Sequence, residues 1–235
     1  MPDLAALLAP RSVAIVGAAP KGQGLRGRII EIMRMHPYAG AVYPVSRSHD
    51  EVQGLRAYRA VADIPASVDL AVLIIPAEHV LAELERCGQA GVKAAAVISS
   101  GFAEEEGGAG ATNQAQLARI ARTYDMAVLG PNSEGFANLP LDLCPTFSPA
   151  VAETSVPLVP AGACRGRIAV VAQSGGMGFA FYDRGRPKEL AFSHIVTTGN
   201  EAALEIFDVV EHLVDRDEAD LFLLRDAVSA RFQVK

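Results

Sequence analysis

Short runs of β-branched, leucine and alanine residues recur along the chain, each followed by a stretch of helical character. Residues 12–16, 41–45, 70–75, 94–98 and 126–129 are apolar almost throughout, the pattern of strands covered by helices on both faces. Residues 77–90 and 114–124 read as helices between them. The apolar opening MPDLAALLAP reads as a short docking helix ahead of the first strand. The alternation predicts an α/β fold, a doubly wound parallel sheet with right-handed crossovers over residues 1–138.

The rhythm breaks between residues 139 and 165, where five prolines and scattered small residues show no periodicity and predict an extended linker. It resumes with strands at 167–171, 192–196 and 221–224 and a helix at 202–214. Residues 166–235 therefore read as a second α/β domain. About 70 residues are few for a self-contained sheet of this kind, so this domain is expected to be partial or to dock elsewhere. Its apolar strands also make self-association of the chain an expectation.

Composition narrows the picture. Of 235 residues 50% are hydrophobic, which excludes a disordered chain. A net charge of −6 argues against nucleic acid or an anionic membrane as partner. The N-terminal segment lacks a basic region and is too short to span a bilayer, so a cytoplasmic location is expected. Three widely spaced cysteines without a CxxC pair, and five histidines without ligand spacing, predict neither a disulfide framework nor a metal site. His194, inside an apolar strand, is expected to be a satisfied core residue.

Candidate chemistry sits where strands end. Gly17-Ala-Ala-Pro-Lys-Gly22 leaves the first strand as a glycine-rich turn, which lets phosphate oxygens approach backbone N–H groups at a helix N-terminus. The dinucleotide fingerprint G-x-G-x-x-G is not met, because Ala19 takes its second glycine position. The second strand ends Tyr43-Pro-Val-Ser46-Arg47, without the carboxylate that holds a free ribose 2′-hydroxyl; its hydroxyl and guanidinium suit a phosphate. An NAD(P)-dependent oxidoreductase is accordingly disfavoured. Lys21, Arg26, Arg28 and Arg47 are expected around one mouth at the C-terminal edge of the sheet. Ile75 and Pro76 offer an apolar wall after the third strand, and Ser99, Ser100, Gly101 and Phe102 a turn with hydroxyls after the fourth. The loop Gly130-Pro-Asn132-Ser-Glu-Gly135 adds polar groups on a constrained backbone.

In the second series, Ala172-Gln-Ser174-Gly175-Gly176 leaves a strand for a helix. Serine and two glycine N–H groups there form an anion site, aided by the helix dipole. A nucleophile elbow needs G-x-S-x-G, and Ala172 stands at its first glycine. Glu201, after the next strand, reads equally as a site residue at that edge or as part of a helix start.

Taken together these segments resemble the NDP-forming acyl-CoA synthetases, related to the α subunit of succinyl-CoA ligase, with a feruloyl-CoA synthetase-like member as the narrower expectation. The matching pieces run in the family's order: Leu8-Ala-Pro-Arg-Ser-Val-Ala-Ile-Val-Gly17, Tyr43-Pro-Val45, Val68-Asp-Leu-Ala-Val72, Ser99-Ser-Gly-Phe-Ala-Glu104, Gly130-Pro-Asn132, Ala172-Gln-Ser-Gly-Gly176 and Gly199-Asn-Glu-Ala202. The resemblance implies a Rossmann-like CoA-binding domain followed by a flavodoxin-like ligase domain. It implies that Gly17, Ala18, Ala19, Pro20 and Lys21 hold the phosphates of coenzyme A, that Ser46 and Arg47 hold its adenosine end, and that Ile75, Pro76 and Ser99 to Phe102 line the rest. Asn132 would lie near the reactive thiol and acyl phosphate, Ser174, Gly175 and Gly176 would cradle a phosphoryl group, and Glu201 would orient a phosphorylated histidine.

The implied reaction joins a small carboxylic acid to CoA through an acyl phosphate, with ATP giving ADP and the phosphoryl group travelling on a histidine. The carrier histidine of the family lies in a glycine-rich loop well beyond Gly199-Asn-Glu201, and none of the five histidines fits that context. The ATP-grasp domain that binds ATP/ADP and Mg is expected as a separate or missing partner. Without it the chain is expected to bind CoA but not complete the cycle; a regulatory CoA- or acyl-CoA-binding module is the alternative.

Overall fold

The computed structural model describes residues 2–105, 108–152 and 167–225. Helix α1 (Leu4–Leu8) is capped by the Asp3 carboxylate, which accepts the Ala5 N–H at 2.9 Å, and it buries Leu4, Leu7 and Leu8. Five strands then assemble one parallel sheet: β1 (Ser12–Val16), β2 (Ala41–Val45), β5 (Leu70–Leu73), β6 (Ala94–Val97) and β7 (Ala127–Leu129). A small hairpin, β3 (Glu51–Val52) and β4 (Leu55–Arg56), intervenes. Helices α2 (Gly24–Met35), α3 (Ala77–Gln89) and α4 (Gly110–Thr123) make the crossovers. Strands β1, β5, β6 and β7 are buried at every position, because helices cover both faces and no residue is left to alternate toward water.

The strand order is β2-β1-β5-β6-β7. The chain steps outward from β1 in one direction, then returns to build the other side. The crossovers on either side of β1 therefore diverge and leave a crevice at the carboxyl ends of β1 and β5.

A second sheet has the order β11-β9-β10-β8, from β8 (Phe136–Asn138), β9 (Ile168–Ala172), β10 (Phe192–Thr197) and β11 (Leu221–Arg225), with α5 (Gly175–Gly185) and α6 (Ile206–Asp215) between them. Strands β9, β10 and β11 run parallel, and β8 runs antiparallel to β10, with Phe136 opposite Val196 and Asn138 opposite His194. Thus residues 136–138 pair with the second sheet, although they precede the expected boundary at 138. The Asn138 amide also donates to the Leu8 carbonyl at 2.9 Å, tying α1 to that strand.

The linker expected over 139–165 is not extended where it is described. Residues 139–152 contain two single 3₁₀ turns, Leu139–Leu141 and Pro149–Val151, and bury Leu139, Leu143, Cys144 and Val151. Leu139, Cys144 and Val151 pack with Phe179 and Tyr182 of α5 and Ile195 of β10, so proline sets the turns while apolar burial holds them. Residues 153–165 of the expected linker lie outside the described residues, as do 226–235 of the expected second domain. The helix expected at 202–214 starts later, at Ile206, where Glu205 and Asp208 form a reciprocal capping box. No helix among the described residues is long and apolar enough to cross a membrane.

Candidate functional site

Three loops at the crevice of the first sheet enclose about 710 Å³ of empty space, its open mouth included. Gly17, Ala18 and Ala19 follow β1, Ser46 and Arg47 follow β2, and Ile75 and Pro76 follow β5. Gly17 has φ +93°, and a Cβ there would lie 2.3 Å from the Ile74 carbonyl oxygen, so only glycine allows β1 and β5 to close on each other. The N–H groups of Gly17 and Ala18 both donate to Val45 O, at 3.0 and 3.2 Å, extending the β1–β2 ladder. Those two amides are spent on the fold. Ala19 is the first loop amide without such a bond among the described residues.

The positive charge at this mouth comes partly from residues other than those expected. Arg26 and Arg47 line it, joined by Arg59; the imidazoles of His49 and His79 complete the lining. Lys21 instead pairs with Glu31 at 2.7 Å, and the Arg28 Nε donates to Phe147 O at 3.1 Å. Arg26 and Arg28 are two residues apart on one helix and so point to opposite sides, which is why they separate. Pro20 lies in the turn before α2, its carbonyl against Gly27. Arg59 is held by bonds from its guanidinium to Ser46 O at 3.3 Å and to Asp50. Buried Glu83, 4.0 Å from Arg47 and 2.7 Å from Arg86, tethers one wall.

The loops after β6 and β7 carry the same edge onward. The Ser99 hydroxyl donates to Ile75 O at 2.6 Å and accepts the Ile75 N–H at 3.2 Å, locking two adjacent loops together. Ser100 is exposed, and Gly101 turns the chain at φ +102°. Phe102, expected to line the pocket, is instead fully buried in the first domain's core with Val80, Leu84 and Leu117. An aromatic ring after a strand has more apolar surface to bury below than at the edge.

A second cleft of about 940 Å³, open to solvent, lies between that edge and the second sheet. Asn132, Gln173, Ser174, Gly175, Gly199 and Asn200 face Glu104 and Gln114 across it. Two loops abut closely here. The Asn132 N–H donates to Ser99 O at 2.9 Å, the Asn200 N–H to Pro131 O at 2.8 Å, and a Cβ at Gly199 would sit 2.2 Å from Pro131 O. Asn132 itself has φ +57°, a left-handed turn that asparagine tolerates.

Ser174 occupies the position before the first turn of α5 and makes no capping bond with its side chain. The first-turn amides of Gly175 and Gly176 have no partner within the helix, and the helix dipole concentrates positive potential on them. Gly176 is open, with nothing within 4 Å of a Cβ there, whereas a Cβ on Gly175 would meet the Glu134 Cβ at 2.4 Å. Half-buried Glu134 is thus wedged against the start of α5. Burial raises its pKa and a hydrogen bond to Ser148 partly offsets this.

Glu201 has φ +55° and accepts from the Thr198 hydroxyl at 2.8 Å and from the Ile206 N–H at 3.2 Å. The carboxylate therefore shapes the 198–206 loop and satisfies the first amide of α6. Its helix-start reading is the one these bonds support. Glu104, by contrast, is held as an ion. Burial opposes its charge, but bonds from the Asn200 side chain and from the Gly101 and Phe102 amides outweigh it and lower the pKa. Arg59, His49, Glu104, Gln114 and Asn200 were not assigned roles from sequence; only Glu104 and Asn200 stand in motifs that could have flagged them. His194 is buried as expected, yet among the described residues neither ring nitrogen has a hydrogen bond, and Glu218 stands 3.5 Å away.

Comparison with known proteins is consistent along the chain. A family described as CoA binding domain matches residues 11–138, and one described as Succinyl-CoA ligase like flavodoxin domain matches residues 165–225. The α subunit of acetate–CoA ligase (ADP-forming) II from Pyrococcus furiosus is 33% identical over 89% of this chain and 43% of its own length. A trans-feruloyl-CoA synthase from an unknown prokaryote is 34% identical over 93% of this chain and 30% of its own length. A dinucleotide-forming acetyl-coenzyme A synthetase 1 of Ca. Korarchaeum cryptofilum, solved with phosphate and ADP, superposes with TM-score 0.83 at 32% identity, over 95% of this chain and 45% of that one. The chain thus spans less than half the length of these relatives.

Proposed function

This chain belongs to the CoA-binding domain family, within the NDP-forming acyl-CoA synthetases, and from that premise we propose that it is the CoA-binding part of an ADP-forming acid–thiol ligase. The observation that carries the reading is a single line of loops along one sheet edge. The cavity at β2, β1 and β5 takes the adenosine and phosphates, with Arg26, Arg47 and Arg59 meeting the negative charge. Asn132, after β7, lies three strand spacings from β1, roughly 15 Å along the edge, a span suited to an extended pantetheine arm. The arm passes Ile75 and Ser99 and delivers its thiol beside α5.

At that end the chemistry needs a fixed home for phosphoryl oxygens, which the Ser174 hydroxyl and the Gly175 and Gly176 amides supply without reorganising. An acyl phosphate formed from a small carboxylic acid and ATP places its carbonyl carbon before the thiol. Sulfur attacks, the C–O bond to phosphate breaks, and phosphate leaves onto the same amides, taking up the thiol proton as hydrogen phosphate. Nucleotide and Mg belong to an ATP-grasp partner, and the phosphoryl-carrying histidine, which none of the five histidines of this sequence fits, to a further segment. Glu201, bonded as it is, serves by holding the loop in place.

Calorimetric titration of the chain with CoA, 3′-dephospho-CoA, NAD and NADP tests this. CoA is expected to bind most tightly, with dephospho-CoA weaker by about tenfold for a lost charge-assisted contact. A folded sample that binds no CoA, or prefers a nicotinamide dinucleotide, overturns the reading. Addition of an ATP-grasp partner with acid and ATP is expected to yield acyl-CoA; CoA binding without turnover would favour a regulatory module.

A further inference from the structure

The second cleft contains a chain of side-chain amides whose orientations are fixed by groups that have no choice of role. A backbone N–H can only donate, so the Ala103 amide, 3.2 Å from the Gln114 side chain, faces its oxygen Oε1. Ionised Glu104 can only accept. The Asn200 side chain reaches both Glu104 and, at 3.0 Å, Gln114 Oε1, so the atom it presents to them is Nδ2. Its carbonyl Oδ1 must then point the other way, where the Asn132 Nδ2 donates to it at 3.2 Å. Asn132 cannot turn its amide over without setting two carbonyl oxygens against each other. Its own Oδ1 accepts no hydrogen bond among the described residues, and exposed Asn132 lines the same cleft as Ser174.

We propose that Glu104 and Asn200 are positioning residues that hold Asn132 with its carbonyl oxygen toward the cleft, where it accepts a hydrogen from the thiol end of the CoA arm, from S–H or from the neighbouring amide N–H. This rests on the CoA reading above. It divides the labour of the site: Asn132 is the acceptor that orients the incoming arm, and the α5 amides are the donors for phosphoryl oxygens. The relay also joins the two sheets. Glu104 and Gln114 come from the first, Asn200 from the second, so the acceptor is in register only when the two halves are seated together.

The test compares two ligands. Adenosine 3′,5′-bisphosphate fills the first cavity but has no pantetheine arm, whereas CoA has both. Asn200→Leu is expected to weaken CoA by about fivefold to tenfold, the range for losing one oriented hydrogen bond, and to leave the bisphosphate unchanged. Adding it to Asn132→Ala is expected to cost nothing more, because Asn200 acts through Asn132. Glu104→Leu, which breaks the relay from the other side, is expected to repeat the pattern and serves should Asn200→Leu fail to fold. Equal loss for both ligands, no loss for either, or additive losses in the double variant overturns the proposal. A wild-type chain that binds neither ligand fails the underlying CoA reading instead. One that binds the bisphosphate as tightly as CoA fails the relay alone.

Discussion

At Gly17 a β-carbon would have to enter the Ile74 carbonyl, and the backbone is left-handed as well. Gly17→Ala is therefore expected to lower stability by about 2 kcal/mol or more in urea unfolding and to abolish CoA binding, since the β1 and β5 loops form the cavity together. Glu134 shows the opposite case, a side chain kept at some cost. Its folded pKa lies above the usual 4.5, so its contribution favours the fold below pH 4.5 and is lost as pH rises through the shifted value. Glu134→Gln, which keeps the partner for Ser148, should raise unfolding free energy at pH 7 and leave it unchanged at pH 4. Equal gains at both would refute the assignment. Residues whose role depends on their own backbone, such as Gly17 and Gly101, are legible in sequence because turns leave a compositional mark. Arg59 is not, since nothing local announces its bonds to Ser46 and Asp50, and Asn200, though it stands inside Gly199-Asn-Glu201, takes its role from Glu104 and Gln114 far away in the chain.

Among the elements, the long apolar strands were readable, because a strand buried on both faces leaves an uninterrupted apolar run. Strand β8 was not. Phe136–Asn138 is only three residues long and draws its pairing from β10, more than fifty residues on. What fastens it is Thr197 at the end of β10, whose hydroxyl donates to Gly135 O at 2.7 Å and accepts the Glu134 N–H at 3.1 Å. Thr197→Val leaves the Glu134 N–H unpaired, while Gly135 O keeps its 3.1 Å bond from the backbone N–H of residue 197, and should cost about 1–2 kcal/mol by chemical denaturation. On the same strand, burial brings the His194 pKa down from 6.5 to about 4, with Glu218 opposing and His212 reinforcing the shift. A depressed histidine stabilises fully above pH 6.5 and loses that contribution as pH falls toward 4. Stability should decline across that window, and His194→Leu should flatten the decline. A slope unaltered by the substitution would place the acid sensitivity elsewhere.

For the molecule as a whole, an acidic chain of net charge −6 presents three arginines around one cavity. Attraction of a polyanion to such an exposed cluster is screened by salt. CoA affinity is expected to fall as NaCl rises from 50 to 300 mM, and Arg59→Gln should make that dependence shallower. An equal slope in the variant would remove Arg59 from the anion contacts. The division into two α/β units was visible from sequence as a break in rhythm, but the seam was not, because the turns after residue 138 and strand β8 itself cross it. That crossing bears on the order in which the chain acquires structure during synthesis. The first sheet has all five strands once Leu129 has left the ribosome, yet Phe136, Ala137 and Asn138 then wait, edge exposed, until Phe192–Thr197 is made. The nascent first half therefore emerges with an unpaired apolar strand at its tail, and the cell must shield that strand until some sixty further residues have emerged.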